Sequence, residues 1–286
     1  MASSHILATL NPEQAEAVRS VEGRLLILAG AGSGKTSVLT RRMAYLILEC
    51  GVPPEALLGL TFTNKAAQEM RHRVATLVSP EAAGKIAIHT FHSFCMHVLR
   101  QDIDHLGFTK EFSLYDAKDL ERLVKLVAHD LLEHEGALPS LAGTLQLISK
   151  AANQGAAPPA EGTTWHDKFT QELYQRLTAS FRAYNALDFD HLLQKTVELF
   201  QLFPSVLAKY QERFRYLMID EYQDTNPVQF QLAEMLAAKY GNLCVVGDDD
   251  QAIYGWRGAD VKNILQFERA KVIKLEQNYR STNSIL

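Results

Sequence analysis

A chain of 286 residues, 47% hydrophobic and 22% charged, holds enough apolar material for one large core or two smaller ones, which excludes a disordered or low-complexity protein. No apolar run reaches the roughly 18 residues of a membrane span, and Met1 to His5 lack the basic start and apolar stretch of a secretory signal, so a cytoplasmic home is expected. The formal net charge of −4 gives no global attraction to nucleic acid, so any such site must be a local patch. Cys50, Cys95 and Cys244 are widely spaced within apolar runs and read as reduced core thiols without metal spacing.

Leu10 to Val18 reads as a helix entry, with Asn11 as N-cap, Pro12 at the first helical position and Glu13 in the first turn. Gln14 follows, and an amide that donates and accepts at once suits the N6 and N7 edge of adenine; an exposed helical glutamine is the plainer alternative. Leu25 to Ala29 is an apolar strand that runs into Gly30-Ala31-Gly32-Ser33-Gly34-Lys35-Thr36 and then into a helix from Ser37 to Leu48. The three glycines let successive N–H groups curl around an anion at a helix N-terminus, which is where a nucleoside triphosphate is expected. Lys35 would reach the β and γ phosphates and the Thr36 hydroxyl would ligate Mg²⁺; the usual pattern G-x-x-x-x-G-K-[ST] has Ala29 at its first position here.

Leu57 to Phe62 is a short apolar strand leading into Thr63-Asn64-Lys65-Ala66-Ala67, and Lys85 to Ile88 repeats the scheme before His89-Thr90-Phe91-His92-Ser93. In an open parallel sheet these clusters share the edge of the phosphate loop. Their hydroxyl, amide and imidazole groups suit a phosphodiester backbone and Phe62 or Phe91 could stack on a base, while helix caps beside a packed phenylalanine are the plainer reading.

From Phe108 to Tyr184 the character becomes helical. Leu120, Leu123, Val124, Val127 and Leu131 recur at helical spacing behind Asp116, a plausible N-cap. The Gln154 to Gly162 stretch is rich in glycine and proline, and Phe169, Leu173, Leu177 and Tyr184 mark another helix. No strand and no chemical motif is expected here.

Strands resume at Tyr216 to Ile219, Leu243 to Val246 and Lys271 to Leu275. The first ends in Asp220-Glu221-Tyr222-Gln223-Asp224, where Asp220 is placed to hold Mg²⁺ and Glu221 to orient and deprotonate a water. The other two run into Gly247-Asp248-Asp249-Asp250-Gln251 and Glu276-Gln277-Asn278-Tyr279-Arg280.

Taken together, Asn11-Pro12-Glu13-Gln14, Ala29 to Thr36, Thr61 to Ala67, Thr90 to Ser93, Leu187-Asp188-Phe189-Asp190, Ile219 to Asn226, Val246 to Ala259 and Gln277 to Thr282 make the chain resemble the amino-terminal half of UvrD/Rep/PcrA-type superfamily-one DNA helicases. The resemblance implies an α/β fold, a RecA-like P-loop NTPase parallel sheet flanked by helices, with a mainly helical insertion subdomain. Residues 1–107 and 185–286 would form RecA-like domain 1A, and 108–184 subdomain 1B. It implies ATP and Mg²⁺ as cofactors, held by Gln14, Ala29, Gly30, Ala31, Gly32, Ser33, Gly34, Lys35, Thr36, Ser37, Asp220 and Tyr279, the last packed on adenine. Lys35, Glu221, Gln251 as γ-phosphate sensor and Arg280 as the cation facing developing charge would carry catalysis. Single-stranded DNA would meet Phe62, Thr63, Asn64, Thr90, His92 and Ser93 and stack on a platform of Tyr254, Trp256 and Arg257.

Ser37 stands where many relatives carry an arginine beside the adenine, Ala252 replaces a common serine, and His191 replaces a common second acid after Asp190. The chain stops soon after Arg280, where relatives pass into a second RecA-like domain, so the expectation is the ATP- and DNA-binding half of a 3′-to-5′ helicase acting on single strands and single-strand/duplex junctions. On its own such a half would bind both ligands and hydrolyse poorly. The rival expectation is a non-enzymatic DNA-binding or partner-docking module that keeps the helicase fold.

Overall fold

The computed structural model describes residues 3–132, 141–156, 164–251, 259–260, 262–265, 267 and 269–279. In chain order come α1 (Ser3–Leu7), α2 (Pro12–Arg19), β1 (Arg24–Ala29), α3 (Lys35–Leu48), β2 (Leu57–Thr61), α4 (Asn64–Ala75), α5 (Pro80–Lys85), β3 (Ala87–Thr90) and α6 (Phe91–Asp102). Then follow β4 (Ser113–Leu114), α7 (Ala117–Leu132), α8 (Leu141–Asn153), α9 (Trp165–Ala183), β5 (Ala186–Leu187), α10 (Phe189–Leu202) and α11 (Pro204–Arg213). The last are β6 (Tyr216–Ile219), α12 (Pro227–Ala237), β7 (Leu243–Gly247), α13 (Lys262–Leu265) and β8 (Lys271–Leu275). They fall into two compact units, 1–94 with 204–286, and 95–203.

The first unit is α/β. Its sheet has six strands in the order β3-β2-β6-β7-β1-β8, every neighbouring pair parallel. β2 and β7 are buried at every position, as strands covered on both faces must be. Strand alternation divides the apolar residues between two faces. Leu25, Ile27 and Ala29 of β1, with Ile88, Met218, Cys244, Val246 and Ile273, pack against Val38, Leu39, Met43 and Leu46 of α3 and Ala67, Met70 and Val74 of α4. Their alternates Leu26, Leu58, Leu60, Leu217, Ile219, Leu243 and Val245 are buried too, and α12 packs on β6.

All six strands legible in the sequence are present, five within one residue of their expected ends and β3 displaced by two. Lys85 and Ile86 are not in β3: Ser79 accepts the Ala82 N–H as N-cap and Pro80 takes the first position, so a helix runs to Lys85 before the strand can begin. Asn11 caps α2 as expected, in a reciprocal box with Gln14. Cys244 is a core thiol; Cys50 is exposed, because it follows the C-cap Glu49 of α3 and leaves the apolar face. Arg42, only 2% exposed, is the most unusual member of this core. Its guanidinium donates to Ala17 O at 2.9 Å, in the last turn of α2 where carbonyls lack helical partners, and to Val21 O at 3.0 Å in the turn that follows.

In the second unit Leu123, Val124 and Val127 of α7 pack on Phe169, Leu173, Leu177 and Phe181 of α9. Asp116 caps α7 as read, accepting the N–H groups of Lys118 at 2.8 Å and Asp119 at 2.9 Å, and Cys95 is a buried thiol. Two expectations are corrected. Tyr184 is 55% exposed, because α9 ends at Ala183 and Phe181 fills the core position instead. The stretch expected to lack strands contains β4, which pairs in parallel with β5 through Ser113↔Ala186 and Leu114↔Leu187; two residues are too few to show a period. His191 donates its backbone N–H to Asp188 Oδ1, and its ring Nδ1 lies 2.8 Å from the same oxygen, so an imidazole serves where an acid is common.

Replacing Arg42 by Ala strands two carbonyls and empties a filled volume, and should lower the unfolding free energy by about 2–4 kcal/mol in a urea titration, with Arg42→Met losing less.

Candidate functional site

Because all six strands are parallel, their carboxyl ends lie along one edge. Ala29 pairs with Leu275 and Leu28 with Gly247, while Ile219 pairs with Val245, so the loops after β1, β6, β7 and β8 are neighbours. The Gly30 to Thr36 loop curls through left-handed backbone at Gly32 (φ +75°) and Gly34 (φ +92°). At Gly34 the space demands glycine as well, since a Cβ would stand 2.9 Å from Gln14 Nε2. Inside the turn the Ser33 hydroxyl donates to Gly30 O at 2.8 Å. Ser37 lies in the first turn of α3, and its carbonyl accepts the Thr40 hydroxyl at 3.1 Å.

Four expected residues meet directly. Lys35 Nζ lies 3.4 Å from Glu221 Oε2, and the Thr36 hydroxyl donates to Asp220 Oδ2 at 3.3 Å. Asp220 is buried at the end of β6, and burial first, then the Glu221 charge, push its carboxyl up to about 6. Glu221 itself holds φ +52°, left-handed backbone that costs a residue with a Cβ about 1–2 kcal/mol.

The adenine candidates flank the loop. Gln14 Nε2 donates to Ser33 O at 2.8 Å and its Oε1 accepts the Asn11 N–H at 3.2 Å, leaving one donor and one lone pair on the amide. Tyr279 donates its backbone N–H to Gly32 O at 3.0 Å, and its half-exposed ring presents a hydroxyl bonded to Asn11 Nδ2 and Gln277 Oε1.

The strand-end clusters after β2 and β3 share the same edge, with β6 and β7 between them and β1, and Thr61 lies opposite Thr90. Thr63 caps α4 by accepting the Ala66 N–H at 3.1 Å, and Asn64 begins that helix exposed. Thr90 and Ser93 cap each other: the Ser93 N–H donates to Thr90 Oγ1 at 3.1 Å and the Thr90 N–H to Ser93 Oγ at 2.9 Å. Phe62 is half-buried; Phe91 is 1% exposed, so of the two rings weighed for stacking it is the core one. Burial pushes the His92 imidazole below its usual range. Tyr254, Trp256, Arg257 and Arg280 lie outside the described residues.

Gln251 reaches the acids through groups that pattern reading passed over. It donates its side-chain amide to Asp248 Oδ2, and the Asp248 N–H donates to Gln223 Oε1 at 3.1 Å. Gln223, 1% exposed, turns its Nε2 to Glu221 Oε2 at 2.8 Å. Asp224 is buried with Oδ1 lacking a hydrogen-bond partner, and burial, then the Glu221 charge, push its carboxyl up to about 6. Asn278 Nδ2 holds Ala31 O at 2.8 Å. Nothing in the pattern around Gln223 set it apart from the acids beside it; only the acid cluster itself was a signal.

Residues 10–271 match the family model described as the UvrD/REP helicase N-terminal domain. The chain is 45% identical over 287 residues to the ATP-dependent DNA helicase PcrA of Staphylococcus aureus, a match covering 98% of this chain and 39% of that relative. Against the PcrA of Staphylococcus epidermidis the identity is 45% over 289 residues, again covering 98% of this chain and 39% of the relative. The chain thus spans about two fifths of the length of the curated relatives it matches. With its parallel sheet, phosphate loop and facing acids, it belongs to the UvrD/REP helicase N-terminal domain family.

Proposed function

We propose that the chain is the ATP- and strand-binding part of an ATP-dependent DNA helicase that moves 3′ to 5′ along single-stranded DNA and opens single-strand/duplex junctions in the cytoplasm. Residues 108–184 would be its helical subdomain 1B, and a second RecA-like domain its partner in closing on ATP. The observation that carries this reading is the convergence of Lys35, Thr36, Asp220 and Glu221 on one another at the end of the phosphate loop. The chain's similarity to the ATP-dependent DNA helicases PcrA supports the helicase activity.

In this reading the loop amides from Gly30 to Gly34 cradle the phosphates, with Ala29 and Ser37 at the two ends of the cradle. Lys35, now paired with Glu221, turns to the β and γ phosphates, and Glu221 is left to orient and deprotonate the attacking water. Thr36 Oγ1 and Asp220 Oδ2, 3.3 Å apart, fit Mg²⁺, which commonly takes one or two protein oxygens and fills its shell with phosphates and water. Among the described residues no trio of His, Cys, Asp or Glu could hold a metal without such help. When bound, Mg²⁺ neutralises charge on the transferred phosphoryl group. Gln14 and Tyr279 take the adenine, Gln251 senses the γ-phosphate and Arg280 meets the charge that develops on it.

The DNA track would run over Phe62, Thr63, Asn64, Thr90, His92 and Ser93 to the stacking platform of Tyr254, Trp256 and Arg257. Burial keeps His92 neutral at pH 7, so it would meet a strand by hydrogen bonding or stacking and not as a cation.

Lys35→Ala should weaken Mg·ATP binding at least about tenfold in a fluorescent-nucleotide titration, and unchanged affinity would sink the phosphate-site assignment. Phe62→Ala should weaken binding of a single-stranded oligonucleotide by about tenfold in fluorescence anisotropy, the scale of one lost base stack. Asp220 adds a pH signature. Its folded carboxyl, raised to about 6, binds protons more tightly than the unfolded one, so the nucleotide-free protein loses stability as pH rises from about 4 through 6. Asp220→Asn should therefore gain on the order of 1–3 kcal/mol at pH 7.5 in thermal melts, lose that advantage near pH 4, and bind Mg·ATP more weakly.

A further inference from the structure

Gln223 sits between the two loops that the reading above makes responsible for water activation and γ-phosphate sensing. Its side chain is 1% exposed, and both ends of its amide are used: Nε2 donates to Glu221 Oε2 at 2.8 Å, and Oε1 accepts the Asp248 N–H at 3.1 Å. A carboxylate needs a donor and a backbone N–H needs an acceptor, so these neighbours also determine which end of the amide is oxygen. Asp248 continues the chain outward: its Oδ2 accepts the Gln251 side-chain amide, and its carbonyl accepts the Gln251 N–H at 3.1 Å. The strand end is shaped around this bridge. A Cβ at Gly247 would stand 2.7 Å from Gln223 Oε1 and 3.3 Å from the Gln223 backbone nitrogen, so the glycine is what lets the amide reach across from β6 to β7.

We propose that Gln223 is a positioning residue that holds the Glu221 carboxylate and ties it to the Gln251 loop. Glu221 Oε2 has two side-chain donors, Lys35 and Gln223, and Lys35 is the one that a triphosphate draws away. Gln223 then remains as the donor that sets the direction of the carboxylate. A shift of Gln251 toward a γ-phosphate pulls on Asp248, and through the Asp248 N–H on the same amide. The order Glu221, Gln223, Asp248, Gln251 is thus one hydrogen-bonded line from the base to the sensor. This inference rests on the reading of Glu221 as the base.

The test compares Gln223→Met, Gln223→Glu and Glu221→Gln, together with the Glu221→Gln/Gln223→Met double variant, in the whole product of the gene. Steady-state ATP hydrolysis with single-stranded DNA and Mg·ADP affinity are the readouts. Gln223→Met removes both hydrogen bonds at similar volume, whereas Gln223→Glu keeps the shape and an acceptor for Asp248 and sets a carboxylate oxygen, with its charge, where the donor to Glu221 stood. Melting curves check that each variant is folded, and Gln223→Glu decides the matter if Gln223→Met is not. The expected result is a kcat lowered about tenfold or more in both Gln223 variants, with KM for ATP and the Kd of Mg·ADP within about twofold, and a double variant no slower than Glu221→Gln alone. Turnover unchanged in both Gln223 variants, a loss confined to KM, or losses that multiply in the double variant would overturn it. If Glu221→Gln retains full turnover, or the unaltered protein has none, the reading of Glu221 as base fails and this inference falls with it. If Glu221→Gln is slow while the Gln223 variants match the unaltered protein, only this inference fails.

Discussion

Parallel pairing is the constraint from which the site follows. Each strand of the sheet enters at one edge and leaves at the other, so six separate stretches of chain deliver their polar ends to the same line. The order of strands then decides who meets whom: β1 lies beside β7, and β7 beside β6, which sets the phosphate loop near the Gln251 loop and the paired acids. A slip of one residue in the pairing of β6 would turn its apolar residues to the opposite faces and shift Asp220 along the edge, so the packing that secures Met218 on one side and Ile219 on the other also secures the carboxylates.

That packing supports an arrangement that is electrostatically unfavourable by itself. Asp220 and Asp224 are both buried close to Glu221, and both have carboxyls lifted to about 6. Lys35 is the cation that relieves them, and it pairs with Glu221, whose own backbone is left-handed. Such a cluster is what remains when a site is shaped for a highly charged partner: under the proposed function, phosphates would draw Lys35 from Glu221, and a divalent cation would sit on Asp220 and Thr36. Elsewhere on the edge polar groups are satisfied within the protein. Thr63, Thr90 and Ser93 cap helices, and the amide of Gln14 holds the carbonyl of Ser33. Serving as a cap does not empty a hydroxyl of further use, since each oxygen keeps lone pairs and a rotatable proton.

The sequence by itself determined the elements of the sheet and the chemistry at their ends, because both are local. Apolar runs of four to six residues, followed by glycine, hydroxyl or acid residues, mark the strands and edge loops of this sheet, and the phosphate loop carries its own geometry in its glycines. Caps are equally local, which is why Asn11 and Asp116 were legible. Only the tertiary structure decided what depends on partners distant in the chain. β4 exists because Ser113 and Leu114 find Ala186 and Leu187, and the buried Arg42 is satisfied by one carbonyl from the last turn of α2 and one from the turn after it. Gln223 looks like one polar residue in an acidic turn until β7 brings Asp248 against it. A hydrogen bond between neighbouring strands depends on their pairing, and pairing is a property of the sheet, set by packing on both of its faces, and not of either strand's sequence.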